Sequence, residues 1–380
     1  MLSQLCLLIA QDCNLRCRYC YAGDGCYGAA PSLMTWEVAQ AALDLFLREA
    51  GDADHLSLLF FGGEPLLNFP LLRQVAESLE ERAKQAGKRL DLIVSTNATL
   101  LTPEVAAYLL DHHIEVLVSL DGPIEVHDLL RPDASGKGTY ERVVGNLRTL
   151  LDEHKLELNA VATITHQFPQ TEAVITHLLD LGFRRAWARP VASPDPQYAL
   201  DGQDWDTYFA GYRALAERFY AEAEQGRLFG WATLIHRLQQ LEHNEGPHYR
   251  CAAGTRQISV AVNGTLYPCH RLVGDERYRW GDVFSGLEPG KREEFLARAQ
   301  LDQRTICGDC DLATWCGGSC SYLGVTESDD LFAHSASDCR RSRTELELAR
   351  EVRERLSHLG RHWLPKLLLN EELTRTAYAR

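Results

Sequence analysis

LSLLFF at residues 56–61 and IEVLVS at residues 114–119 are near-continuous apolar runs, each ending at a turn-forming segment. A strand with one wet face alternates apolar and polar side chains. A run without that alternation has both faces covered, as a parallel strand between helices does. Working outward, similar runs place strands at Leu5–Ala10, Leu90–Ser95, Leu156–Ile164 and Arg184–Val191. Helical periodicity fills the gaps: Thr35–Ala50 closed by Gly51, Phe69–Ala86 closed by Gly87, Thr102–His112 opening on Thr-Pro, Thr139–Glu153, and Gln170–Leu181 closed by Gly182. Six βα units in about 200 residues predict a parallel α/β sheet, too short for an eight-stranded barrel. A six-unit partial barrel and a doubly wound sheet both satisfy the pattern. Either places ligand sites at the C-terminal strand ends.

The whole chain has 380 residues, 45% apolar and 24% charged, which suits two or three globular domains. Its formal charge of −14 argues against general affinity for nucleic acid or an anionic membrane, since phosphate binding needs a basic surface. No uninterrupted apolar stretch reaches about 18 residues, so no membrane span is expected. The N-terminal MLSQLCLLIAQDC lacks the basic start of an export signal and reads as the first strand, which makes the cytoplasm the expected compartment. Ser193–Gly202 reads as a linker, Asp204–Gln225 and Phe229–Asn244 as helices, ISVAVNGTLYPC as short strands around an Asn263-Gly264 turn, and Arg343–Leu359 as a charged amphipathic helix.

The 12 cysteines fall into two groups, with none between Cys26 and Cys251. In a reducing compartment that distribution points to metal or redox chemistry rather than to disulfides. Cys13, Cys17 and Cys20 lie within eight residues directly after the first strand. Three thiolates can hold three irons of a 4Fe–4S cluster and leave the fourth open. A structural zinc or iron–sulfur site completed by a distant ligand is the other reading of the same spacing. Gly62-Gly63-Glu64-Pro65 follows the second strand; glycines admit close backbone approach, and a carboxylate suits an ammonium group. Asn97 follows the third strand, Ser119 ends the fourth, Asp121 stands two residues on, and Arg131 ten residues beyond Asp121. Asn97 and Asp121 are equally suited to capping their own loops. Cys6 reads as a buried strand residue, and the bland reading of Cys26 is a loop thiol.

The QDCNLRCRYCYA stretch resembles the radical S-adenosylmethionine (radical SAM) superfamily. The resemblance implies a partial (β/α)6 TIM barrel whose open iron is chelated by SAM, with one electron from the cluster cleaving SAM to methionine and a 5′-deoxyadenosyl radical. By the same resemblance Gly62, Gly63 and Glu64 bind the methionine amino group, and Ser119 and Arg131 meet the carboxylate and ribose. Tyr19 would pack near the adenine, with Asn97 and Val191 as further cofactor contacts. The C-terminal set Cys251, Cys269, Cys307, Cys310, Cys316, Cys320 and Cys339, Gly264 included, resembles the SPASM domain, which binds two auxiliary 4Fe–4S clusters. The resemblance implies that Cys307, Cys310, Cys316 and Cys339 close one cluster and that Cys251, Cys269 and Cys320 hold the other, one ligand short. The implied division is a radical SAM core at 1–200, a helical linker at 201–250, a SPASM domain at 251–345 and a C-terminal helix or tail at 346–380.

Beyond the motifs, FFGGEPLLNF, SLDGPIEVHDLLRP and RPVASPDPQYAL are similar to peptide-maturing SPASM enzymes, nearest to the SCIFF/ranthipeptide group that builds thioether cross-links. That similarity implies a Cys-containing peptide or protein substrate and a flavodoxin- or ferredoxin-type reductant. Such maturases usually carry an N-terminal leader-binding domain. With Met1 only 12 residues before Cys13, leader recognition is expected from a separate protein, another surface or not at all. Sulfatase-maturing SPASM enzymes place an aspartate after the cysteine of YPC; His270 stands there in this chain, which disfavours that role. C–C or ether cross-linking, epimerisation and formylglycine formation remain alternatives within the class. A non-catalytic iron–sulfur electron carrier and a zinc-binding scaffold are the alternatives outside it.

Overall fold

A computed structural model describes residues 1–153, 158–244, 249, 251–304 and 306–359. It divides into two compact units. One comprises Met1–Leu120, Ile124–Asn159 and Ala252–Ala297; the other comprises Asp121–Pro123, Ala160–Cys251 and the chain from Arg298 onward. The elements run β1 Gln4–Gln11, β2 Ser32–Leu33, α1 Trp36–Ala50, β3 His55–Gly62, α2 Phe69–Gln85, β4 Arg89–Thr96, α3 Pro103–Asp111, β5 Glu115–Ser119, α4 Ile124–Leu130 and α5 Tyr140–Glu153. They continue with β6 Leu158–Ile164, α6 Thr171–Asp180, β7 Arg185–Pro190, α7 Gly202–Glu224, α8 Ala232–His243, β8 Gln257–Val260, β9 Leu266–Tyr267, β10 Gly281–Asp282 and β11 Gly286–Leu287. The last helices are α9 Lys291–Ala299, α10 Ala313–Cys316, α11 Ser321–Ser328 and α12 Ala336–Ser357. The expected strand start at Leu156 and the expected tail beyond residue 359 lie outside the described residues.

In the first unit β5, β4, β3 and β1 lie side by side and parallel, with Leu5 opposite Leu58 and Leu58 opposite Leu92. All eight residues of β1 are buried, as its unbroken apolar pattern requires. The other edge of β1 is taken by β8, parallel and in register Gln4 with Gln257. Thus a strand from the cysteine-rich region joins the sheet of the N-terminal core. β8 returns antiparallel as β9 through the Asn263-Gly264 turn, where Gly264 takes φ +89° and donates its N–H to Ala261 O. Thr35 and Thr102 cap α1 and α3, accepting from Val38 N and Val105 N.

The second unit contains adjacent β6 and β7 and a helical layer in which α7 packs on α6, and α12 packs on α7 and α8. Rings of Tyr208, Tyr212 and Trp231 fill its core, with centroids 4.7 and 5.0 Å apart in succession. α7 starts at Gly202 rather than Asp204, because Asp201 and Asp204 form a reciprocal capping box. α12 starts seven residues before the expected Arg343, at Ala336, where Ser335 caps Asp338 N. Arg237 and Glu345, both buried, pair at 2.8 Å between α8 and α12.

Candidate active site

The loop after β1 carries Cys13, Cys17 and Cys20 and is held by backbone on two sides. Arg16 N and Arg18 N donate to Pro132 O and Leu130 O, and Leu15 bridges antiparallel to Asp133. On the other side Gly63 N donates to Ala10 O and Glu64 N to Asp12 O, both at 2.8 Å. The two glycines explain themselves here. A Cβ on Gly62 (φ +138°) would stand 2.1 Å from Ala10 O, and one on Gly63 2.2 Å from Asp12 O and 2.8 Å from Gly25 O. The close approach they allow is therefore to the end of β1 (Gly62) and to the cysteine loop itself (Gly63), which they lock to the end of β3.

Glu64 is fully buried behind the loop. Its Oε1 accepts from Leu66 N (3.0 Å) and Thr96 Oγ1 (2.7 Å), and its Oε2 from Asn97 N (2.8 Å). Burial pushes its carboxyl up to about 7, while the Asn97, Leu66 and Thr96 bonds and the Arg131 charge pull the other way. A carboxylate offers about four acceptor positions, so three internal donors leave room for an incoming ammonium. Asn97 joins this network to the cysteines: its Nδ2 donates to Asn14 Oδ1 (2.9 Å) and reaches Cys13 Sγ (3.9 Å). Its Oδ1 accepts from Thr99 N and Oγ1, so the loop-capping role and the site role coexist. Register Thr96 with Val118 puts half-buried Ser119 level with Asn97 at the same strand ends.

Arg131 lies on the opposite flank, nearly buried. Its Nη1 donates to Cys17 Sγ at 3.7 Å and its guanidinium sits 5.5 Å from the Tyr19 ring centre. Thus Tyr19, Asn97 and Arg131 all touch the cysteine loop or its partners. Asp121 and Val191 belong to the second unit, where Asp121 Oδ1 accepts from Thr163 N and Val191 N donates to Ile164 O.

Burial pushes the Cys13 thiol up to about 12; Leu15 N–H, a donor to its sulfur, opposes this, and the charges of Glu64, Cys17 and Cys20 add to it. Cys17 and Cys20 are close enough for their charges to act on the Cys13 sulfur, and metal binding supplies the deprotonation that burial resists.

In the second unit burial first, and then the charges of Cys316, Asp338, Cys307 and Cys310, together push the Cys339 thiol up to about 11, so those cysteines lie near one another. Cys320 N donates to Asp338 Oδ2 at 3.1 Å. Of the remaining implied ligands, exposed Cys251 is in the second unit and half-buried Cys269 in the first. Cys6 is buried within β1 and Cys26 within the cysteine loop, whose Gln11 Nε2 donates to Cys26 O.

Sequence reasoning missed Thr96, Tyr21, Tyr27 and Arg271. Thr96 was hidden as an ordinary strand terminus. Tyr21 and Tyr27 pack edge to face (6.0 Å), with the Arg271 guanidinium 4.8 Å from the Tyr21 ring and His270 packed on Phe61 at 4.6 Å. The aromatic content of CYAGDGCY was the available signal for the tyrosines.

A thiol loop locked to a glycine turn, with a buried carboxylate behind it at the ends of parallel strands, suits an iron–sulfur cluster with an amino-bearing cofactor beside it. The model of the Radical SAM superfamily matches residues 7–181, and the chain carries a radical SAM domain and is a SAM-dependent enzyme. A serine-type anaerobic sulfatase-maturating enzyme of Klebsiella aerogenes is 24% identical over 345 residues, covering 85% of this chain and 80% of the relative. A cysteine-type anaerobic sulfatase-maturating enzyme of Clostridium novyi is 24% identical over 338 residues, covering 84% of this chain and 87% of the relative. Among solved structures, native anSMEcpe with bound AdoMet matches with a TM-score of 0.77 at 21% identity, covering 93% of this chain and 98% of that one. Streptococcus suis SuiB bound to its precursor peptide SuiA matches with a TM-score of 0.61 at 16% identity, covering 90% of this chain and 76% of SuiB. These likenesses fix the fold. No helix among the described residues is long and apolar enough to cross a membrane.

Proposed function

We propose that this chain is a peptide or protein maturase that joins a substrate cysteine sulfur to a peptide carbon, forming a thioether with net loss of two hydrogens. The supporting observation is the thiol loop with Glu64 and Asn97 behind it, which fits cluster and SAM together. Bound there, cluster and SAM would supply reductive cleavage to methionine and a hydrogen-abstracting 5′-deoxyadenosyl radical. Cys13, Cys17 and Cys20 would ligate the irons, Glu64 would accept the SAM ammonium, and Ser119 and Arg131 would meet its carboxylate and ribose. Gly62 and Gly63 keep the loop seated, while Tyr19 and Val191 would flank the adenosine. Residues 1–200 would form the radical SAM core and 251–345 the auxiliary-cluster domain, joined by 201–250.

Seven C-terminal cysteines are one short of the eight that two closed clusters need. Cys307, Cys310, Cys316 and Cys339 would close one cluster. Cys251, Cys269 and Cys320 would leave an iron free for a substrate thiolate, a soft ligand that iron accepts; of the two hydrogens lost, one would leave as an atom to the 5′-deoxyadenosyl radical and the other as the thiol proton, with its electron passing to this auxiliary cluster. A low-potential flavodoxin- or ferredoxin-type donor would supply electrons, and a separate protein could present a leader peptide. The second reading is formylglycine formation, favoured by the sulfatase-maturating relatives aligned over four-fifths of this chain. His270, in place of the aspartate of those enzymes, weighs against it.

Anaerobic reconstitution should give brown protein with about 12 irons per chain that releases 5′-deoxyadenosine under dithionite. Incubated with Cys-containing peptides encoded beside its gene, it should produce a loss of about 2 Da and a sulfur-to-carbon cross-link in fragment spectra. A carbonyl-reactive product would transfer the assignment to formylglycine formation.

A further inference from the structure

Arg271 is one of the residues through which the N-terminal thiol loop and the Cys269 segment meet, beside the Tyr21–His270 ring contact. Its backbone N–H points at Cys269 Sγ (3.5 Å), while its guanidinium lies 4.8 Å from the centre of the Tyr21 ring. Tyr21 is the next residue after Cys20. On the far side of Cys20, Tyr19 carries the guanidinium of Arg131, 5.5 Å from its centre. Two cations thus sit on the aromatic rings of the residues just before and just after one cluster cysteine.

We propose that the Arg271 guanidinium, held over Tyr21, stabilises the reduced state of the iron–sulfur cluster on Cys13, Cys17 and Cys20 and so sets its reduction potential. The inference rests on the cluster assignment made above. The couple is a one-electron reduction: an external low-potential donor gives one electron, the cluster gains one negative charge, and no bond changes. A fixed positive charge favours the more negative member of that couple, and partial burial keeps water from screening it. Arg131 has a second task at Cys17 Sγ, so the charge effect is cleaner to read at Arg271.

The test is an anaerobic redox titration of the full-length reconstituted holoenzyme, followed by electron paramagnetic resonance. The N-terminal cluster is identified as the signal that changes when SAM is added. Arg271→Gln removes the charge and should cut the ratio of reduced to oxidised cluster at fixed potential about tenfold, which for one electron is a shift of about 59 mV to more negative values. Arg271→Lys keeps the charge without the planar stacking on Tyr21, and should stay near the parent potential. Equal potentials in parent and Arg271→Gln proteins would overturn the inference alone, as would equal shifts in the Gln and Lys variants, which would mark Arg271 as a packing residue. Absence of any SAM-sensitive signal from the parent holoenzyme would overturn the cluster assignment and the inference with it.

Discussion

Replacing Gly63 with alanine tests how the thiol loop is seated. The new Cβ would stand 2.2 Å from Asp12 O, 2.6 Å from Asp12 C and 2.8 Å from Gly25 O. All three are backbone atoms of the cysteine loop, so no side chain can swing aside. The loop must move, which breaks the 2.8 Å bonds from Gly63 N to Ala10 O and from Glu64 N to Asp12 O. Overpacking of this kind costs about 1–3 kcal/mol, and two lost hydrogen bonds add about 1–3 kcal/mol. Against a global stability of about 5–15 kcal/mol the protein still folds, with the strain local to the cluster loop. Iron per chain should fall from about 12 to about 8 after reconstitution, because the N-terminal four are lost and the C-terminal sites are untouched. Release of 5′-deoxyadenosine should cease while far-ultraviolet circular dichroism is unchanged. Gly145→Ala is the control: Gly145 is exposed in α5 with nothing within 4 Å of its Cβ position, so the change should be neutral or stabilise by about 0.5–1 kcal/mol. A Gly63→Ala protein with full iron and undiminished SAM cleavage would refute the account of the loop.

Glu64 predicts a pH dependence in the metal-free protein. Its carboxyl is raised from 4.5 to about 7 by burial, so the folded state holds the proton more tightly than the unfolded chain. Stability should therefore fall as pH rises from about 4.5 to about 7, by about 3 kcal/mol, and level off above; Glu64→Gln should flatten that slope in denaturant titrations. Asp338→Asn weakens the acceptor for Cys320 N and the partner of Arg341, and should lower C-terminal iron while sparing the SAM-sensitive signal. Glu345→Gln removes the charge buried between Arg237 and Arg341 and should destabilise the protein by about 3–5 kcal/mol in denaturant unfolding, with little effect on iron per folded chain.

The parallel strands were legible because burial of both faces writes itself as runs such as LSLLFF, and helix ends because Thr35, Thr102 and the closing glycines act within a few residues of themselves. The start of α12 was not: Ala336–Ser342 is polar, and its helix is set by Ser335 and by packing against α7 and α8. β2 and α4, two and seven residues long, are too short for a periodic signal. The pairing of β8 with β1 joins segments from opposite ends of the chain, and no local pattern can announce it. At the site, spacing announced the three thiols and the glycine turn. Two of the three donors to Glu64 come from β4 and the residue after it, and Arg271 reaches Tyr21 from about 250 residues further along the chain, so only the folded chain brings them together.

One hydrogen-bonded path ties the two halves of the candidate cofactor site. Asn97 gives its backbone N–H to Glu64 Oε2 and extends its side-chain amide toward Cys13 Sγ and Asn14 Oδ1. An ammonium arriving at Glu64 adds a fourth donor to a carboxylate that already accepts three, and favours its ionised form over the protonated one that burial promotes. The ionised form strengthens the bond from Asn97 N, since charge-assisted hydrogen bonds are shorter and stronger than neutral ones. Asn97 is then held more firmly against the cysteine loop. The same residue that steadies the amino anchor thus steadies a cluster ligand, and the linkage is reciprocal: whatever fixes Cys13 in its thiolate form also preorganises Glu64 for the cationic cofactor.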